Sequence, residues 1–320
     1  MKDLSIITVF FVAAFFSSCK NETLDIASSA EAPLNKQYSQ IPREEVYADA
    51  TLLTEMQNRY KTQMSTLKTE IEKTGAKMVV TYLTPEVGNS LTTAQRQGKP
   101  FIEGVCKELN LDYYDLTKRI KDMDATVITQ MPKDGHWSKA GAKEVAADLA
   151  EVVKKYDGHQ STATYTDKPA LMGALEPNKD EVLDGGKDLP YRLQTNAQGL
   201  RMNYNLDSEK KKQRILLMGD SVFFFPFLDN NDMGSKVLQD MYPNKEILNT
   251  AYWGYSIDDY VSLFTERCKY AQPDVVIVQT SGTDISDMFF SNRNHLSRKG
   301  ATQEPNDLEK AFYTKTYEQK

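Results

Sequence analysis

Three short runs, RILLMG (214–219), KEILNTA (245–251) and DVVIVQT (274–280), constrain the fold of this chain more than any other feature. Each is short, apolar or β-rich, and separated from the next by a helical pattern: one over about 233–242, the other SIDDYVSLFTERCKYA (256–271). Buried strands that alternate with amphipathic helices pair in parallel, because each crossover helix lays its apolar stripe against the sheet. An α/β fold with a doubly wound parallel sheet is therefore expected.

The first half of the chain carries the same alternation. In VYADATLLTEMQNRYKTQMSTLKTEIEKTG (46–75), Leu52, Leu53, Met56, Tyr60, Met64, Leu67 and Ile71 recur at helical spacing, and Gly75 supplies the stop. KMVVTYL (77–83) reads as a strand ended by Pro85, a helix runs through 100–109, and LDYYDL (111–116) reads as a second short strand. SKAGAKEVAADLAEVVKKY (138–156) is an amphipathic helix with Ser138 as its cap. Residues 157–210 have no long periodic run and are rich in Asp, Asn, Gly and Pro, so they read as a connection with short strands such as YRLQTN. Neither the two strands before the connection nor the three after it carry a full doubly wound sheet, and two truncated domains in tandem, the competing reading, would leave open sheet edges. Joined, they make one domain over 46–290, composed of 46–156, the connection 157–210, and 211–290.

The ends lie outside that domain. Leu4–Phe16 is an apolar run shorter than the roughly 20 residues of a membrane span, preceded by one lysine. It ends in Ser17-Ser18-Cys19, which resembles a bacterial lipobox, although Phe16 departs from the usual first residue. That resemblance implies a signal peptide over 1–18, lipidation of Cys19, a polar tether over 19–45 and a lipoprotein of the periplasm or outer membrane in the cell envelope. A polar tail follows at 291–320. A net charge of −6 with interspersed signs leaves no basic footprint, so nucleic acid is not an expected partner. Lys210, Lys211 and Lys212 read as a solvated loop. Cys106 and Cys268 sit in apolar stretches and suit buried free thiols or a disulfide equally, and no Cys/His cluster has metal spacing.

RILLMGDSV (214–222) places Ser221 just past a buried strand, at the carboxyl edge where open α/β sheets bind ligands, with helix-start N–H groups to favour negative charge. LNTAYWGYS (248–256) follows the next strand, and its Gly254 lets a backbone N–H approach a ligand. PDVVIVQTSGTDISD (273–287) ends the third strand in polar residues. Together with YRLQTNAQGLR (191–201), these blocks resemble the SGNH/GDSL hydrolase superfamily over about 190–290. The family's third block reads Gly-x-Asn-Asp, and here Thr283 stands where that Asn helps hold an oxyanion. Loss of one such donor typically costs about 10²–10³ in rate.

The same resemblance places PKDGHWSKAGA (132–142). SGNH proteins end with an Asp/His loop followed by a helix, and residues 46–156 look like that missing back half, set in front. Asp134-x-His136-Trp137 before a small-residue helix resembles the alginate O-acetyltransferases with SGNH-like domains. The expected architecture is thus a circularly permuted, flavodoxin-like sheet, with RILLMG central between KEILNTA and DVVIVQT, and KMVVTYL beyond the latter. The resemblance implies Ser221 as nucleophile, His136 as base and Asp134 as its orienting acid, with the Ser221 and Gly254 N–H groups and Thr283 at the oxyanion. No metal or cofactor is implied. Trp137 suits stacking on a substrate ring and packing on the sheet edge equally, and His159 and His295 read as solvated. The implied activity is a serine esterase acting on O-acetyl groups of an acylated carbohydrate. An O-acetyltransferase using the same residues, or an inactive sugar-binding module, are the alternatives.

Overall fold

The computed structural model describes residues 47–86, 91–184 and 186–288. The signal segment, Cys19, the tether, His295 and the 291–320 tail therefore lie outside the described residues. Helix α1 (Ala50–Glu72) starts where the Asp49 carboxylate accepts from the Thr51 and Leu52 backbone N–H groups, each at 3.0 Å. Its buried stripe is Leu52, Met56, Tyr60, Met64, Leu67 and Ile71, as the spacing predicts. Strand β1 (Lys77–Tyr82) follows, then α2 (Thr93–Glu108), β2 (Asp112–Asp115), the single turn α3 (Ala125–Ile128) and α4 (Lys139–Lys155).

Helix α2 begins well before the expected 100 and carries Pro100 in its interior. Proline there removes a hydrogen bond and costs about 3 kcal/mol. Two features outweigh it: Thr92 caps the start by accepting from the Gln95 N–H, and Ala94, Gln95, Gly98, Ile102, Val105 and Cys106 are all buried. Tertiary packing, not local propensity, sets this boundary.

The connection holds an antiparallel hairpin of β3 (Asp180–Leu183) and β4 (Tyr191–Gln194), which forms its own two-stranded sheet. Then come β5 (Gln213–Met218), the one-turn α5 (Ser221–Phe224), α6 (Gly234–Met241), β6 (Lys245–Asn249), α7 (Ile257–Glu266), β7 (Val275–Thr280) and the one-turn α8 (Asp284–Asp287). The five long-range strands form one parallel sheet in the order β2-β1-β7-β5-β6. Strand β5 lies between β6 and β7, with β1 beyond β7, as expected for a flavodoxin-like order. Counted from β5 the order is 2-1-3-4-5, so β7 is the middle of the five strands, with β1 and β2 from the first half beyond it.

Both faces are covered. Met78, Val80, Tyr82, Leu216, Met218, Val276 and Val278 pack with buried residues of α1, α2 and α7. Their neighbours in sequence, Val79, Ile215, Leu217, Val275 and Ile277, point to the opposite face and pack with α4 and α6. Runs buried on both faces need apolar residues at every position, which is why these strands show no alternation in sequence.

At the amino edge, the wholly buried Asp274 ties the connection to the sheet: it accepts from the Ser161 N–H at 2.7 Å and the Arg214 N–H at 2.8 Å, and pairs with Lys210. Lys210 is thus an ion-pair partner and not a solvated loop residue. His159 is likewise engaged, its Nε2 lying 3.1 Å from the Gly75 carbonyl. Cys106 and Cys268 are buried free thiols, and burial pushes both up to about 12.

Candidate active site

The hydrogen-bonded chain at the carboxyl edge of the sheet joins residues 85 positions apart. The Ser221 Oγ lies 2.8 Å from His136 Nε2, and His136 Nδ1 lies 2.5 Å from Asp134 Oδ1. The carboxylate beside Nδ1 favours the tautomer protonated there, which leaves Nε2 to accept from the serine hydroxyl.

Local backbone bonds fix the acidic loop. The Gln130 N–H donates to the His136 carbonyl at 2.8 Å, Thr129 and Trp137 form an antiparallel bridge, and the Ser138 N–H donates to the Ile128 carbonyl at 2.9 Å. Asp134 Oδ1 also accepts from the His136 N–H at 2.8 Å, a short-range turn that explains the Asp-x-His spacing. Ser138 then caps α4, accepting from the Gly141 N–H at 3.2 Å and donating to the Val127 carbonyl at 2.6 Å. Gly141 is required by proximity: a Cβ there would sit 2.0 Å from the Ile128 carbonyl oxygen.

Trp137 is fully buried, and its Nε1 donates to the Val222 carbonyl at 3.0 Å. It joins the acidic loop to the serine turn and cannot meet a ligand, which decides between the two readings its sequence context allowed.

The serine itself follows β5 at a tight turn. Asp220 caps α5 by accepting from the Val222 N–H at 2.7 Å, and its own N–H donates to Gln279 Oε1 at 3.1 Å. Gln279 is fully buried at the end of β7 and donates through Nε2 to the Leu83 carbonyl at 3.3 Å, so one side chain links three strand ends. Helix α5 is a single turn, ended by Phe225 at a left-handed φ of 55°. The backbone at Ser221 therefore offers individual N–H groups and not a long helix dipole.

Arg201 holds the segment after the serine. Only 1% exposed, its guanidinium donates to the Phe224, Phe225 and Leu228 carbonyls and to Asn230 Oδ1, and lies 4.6 Å from the Phe224 ring centroid. Burial pushes it down to about 10, so it stays charged at neutral pH. Sequence reading marked its segment, yet its partners lie 23–29 positions downstream and no local pattern names them. No local pattern singles out Trp253 or Lys187 either. The Trp253 ring centroid is 5.3 Å from that of His136, and Lys187 Nζ is 3.7 Å from Asp134 Oδ2.

For Asp134, burial pushes the carboxyl up, but the His136 hydrogen bonds and charge together with Lys187 outweigh it and hold the group below the ordinary carboxylate value. The other two expected residues are nearby to different degrees. Gly254, exposed at φ +63, directly follows Trp253, and the Tyr252 N–H anchors that loop to the Gly219 carbonyl at 3.0 Å. Thr283 lies past β7, where its hydroxyl pairs with Ser281 Oγ at 2.8 Å; no hydrogen bond joins it to Ser221 or His136. Among the described residues, no cluster of three or more His, Cys, Asp or Glu side chains is placed to hold a metal ion.

No family model and no curated protein matches the chain. Among solved structures it is similar to the O-acetyltransferase domain of AlgJ from Pseudomonas putida, with 16% identity and a TM-score of 0.46 over 74% of this chain and 85% of that one. AlgX from Pseudomonas aeruginosa gives 14% and 0.40 over 81% and 63%. A DHHW family protein from Eubacterium siraeum gives 10% and 0.37 over 78% and 89%.

Proposed function

We propose that this protein is a serine esterase of the SGNH/GDSL type that removes O-acetyl groups from carbohydrate. The single observation that supports it is the hydrogen-bonded chain Asp134–His136–Ser221, assembled from two distant segments at the sheet edge where ligands bind. Ser221 Oγ forms a bond to the acyl carbon while its proton passes to His136 Nε2. The ester C–O bond then breaks, and the same proton goes to the departing sugar oxygen. Water repeats the sequence on the acyl-enzyme, losing its proton to His136 and releasing acetate and Ser221. Asp134 holds the imidazole tautomer throughout. The N–H groups of Ser221 and Gly254, with Thr283 assisting, carry the oxyanion.

The reading includes a circular permutation: the Asp/His half, 46–156, supplies β1 and β2 at the β7 side of the sheet ahead of the serine half. It also places the protein in the cell envelope through a lipid on Cys19. Replacement of Cys19 by alanine should move the protein from the membrane fraction to the soluble one; retention in the membrane refutes the anchor.

The deciding assay is acetate release from an activated acetyl ester, with the mass of the Ser221 peptide followed in parallel. Wild type should gain one acetyl group transiently and Ser221→Ala should gain none. Acetylation of an added glycan without release to water would make the protein an O-acetyltransferase. Glycan binding with neither reaction would make it a recognition module.

A further inference from the structure

We propose that Trp253 is the surface on which the sugar ring of the substrate stacks while its ester meets Ser221; this rests on the esterase reading above. The chain has two tryptophans, and Trp137 is sealed in the core. Trp253 is half-buried beside the reacting groups, its ring tilted 62° to that of His136 at a centroid distance of 5.3 Å. Phe227 at 5.7 Å and Phe224 at 5.8 Å brace the same indole, and both are buried. The indole is therefore fixed before any ligand arrives, which lowers the ordering cost of binding.

The ring is only partly covered by the protein. Exposed Gly254 follows directly and has no side chain to cover the ring. An ester whose carbonyl carbon reaches Ser221 Oγ also has its alcohol portion near His136 Nε2, because that nitrogen must protonate the leaving oxygen. Stacking partners sit about 4.5–7 Å apart between ring centres, so the group attached to that oxygen falls within reach of an indole placed 5.3 Å from the imidazole. An acetyl group has two carbons and would leave such a surface uncovered. A pyranose presents an apolar C–H face of matching size.

Tryptophan fluorescence tests this independently of turnover. With Ser221→Ala protein and peracetylated methyl glucoside as probe, emission should change saturably, and Trp253→Phe in that background should abolish the change, since Trp137 is sealed. No saturable change overturns the proposal whether or not any ester is hydrolysed. If the change is seen while wild type releases no acetate from any ester, the stacking surface stands and the esterase reading falls.

The kinetic arm uses wild type and Trp253→Ala with that glucoside and with ring-free trifluoroethyl acetate and butyrate. The kcat/KM ratio of glucoside to trifluoroethyl acetate should fall about tenfold to a hundredfold, as for loss of one buried aromatic face. Trp253→Phe should keep most of the ratio. Equal losses on both acetates overturn the proposal by making Trp253 a support for His136 alone. A selective loss on the butyrate overturns it by placing the indole on the acyl side.

Discussion

Replacing Arg201 by methionine isolates what its buried guanidinium contributes to the serine loop. Methionine keeps an apolar stem of similar bulk and removes every donor, so the Phe224, Phe225 and Leu228 carbonyls lose a charged partner. A buried acceptor left unpartnered costs about 1–3 kcal/mol, or roughly 3–9 kcal/mol for three. Two effects reduce the loss. The variant no longer has to hold a charge away from water, and the freed loop lets Phe225 and Phe227 leave left-handed φ values of 55° and 60°. The second relief is about 1–2 kcal/mol per residue. A net destabilisation of about 3 kcal/mol is expected. It should appear in urea unfolding as a lower midpoint with an unchanged slope. Arg201→Lys should recover less than half, because a single ammonium cannot span carbonyls that a planar fork reaches. Turnover on the acetyl ester should fall in both, since the loop carries Phe224 and Phe227 next to Trp253 and His136. A methionine variant within about 0.5 kcal/mol of wild type, the range of an inert surface change, would refute the argument.

Asp134→Asn should cut turnover by about 10²–10⁴-fold through the wrong imidazole tautomer. Because the folded carboxyl lies below its ordinary 3.8, its contribution to stability is full above that value and is lost as pH falls through the folded pKa. Chemical denaturation should therefore show the gap between wild type and Asp134→Asn narrowing below about pH 4; a gap independent of pH contradicts the assignment. Gly141→Ala should cost about 1–3 kcal/mol or more by thermal melting, because the new methyl meets the Ile128 backbone oxygen and cannot move it aside. Thr283→Asn should keep or raise turnover, up to the roughly 10²–10³ one oxyanion donor supplies, and a loss of activity there would exclude the oxyanion role. A chain recut so that residues 46–156 follow residue 290 through a flexible linker should fold and hydrolyse the ester; failure to fold argues against the permutation.

Much of this protein is written locally. The buried stripe of α1, the β5 and β7 strands and the cap at Ser138 follow from spacing and residue type, because helical period, strand burial and capping each act over a few residues. The Asp134 turn onto His136 is local too, and so is the placement of Ser221 past a strand end. What local pattern does not specify is which distant segments meet. The parallel pairing of β1 with β7, the position of β7 as the middle strand and the contact of Ser221 with His136 each join segments far apart in the chain. Helix α2 ignores its own proline because a buried face outweighs it. Of the two tryptophans, one is sealed under the serine turn and the other is half-buried beside the histidine, a difference that neither residue's local sequence specifies. Burial of a side chain depends on everything packed around it, and that is decided only when the sheet has brought both halves of the chain together.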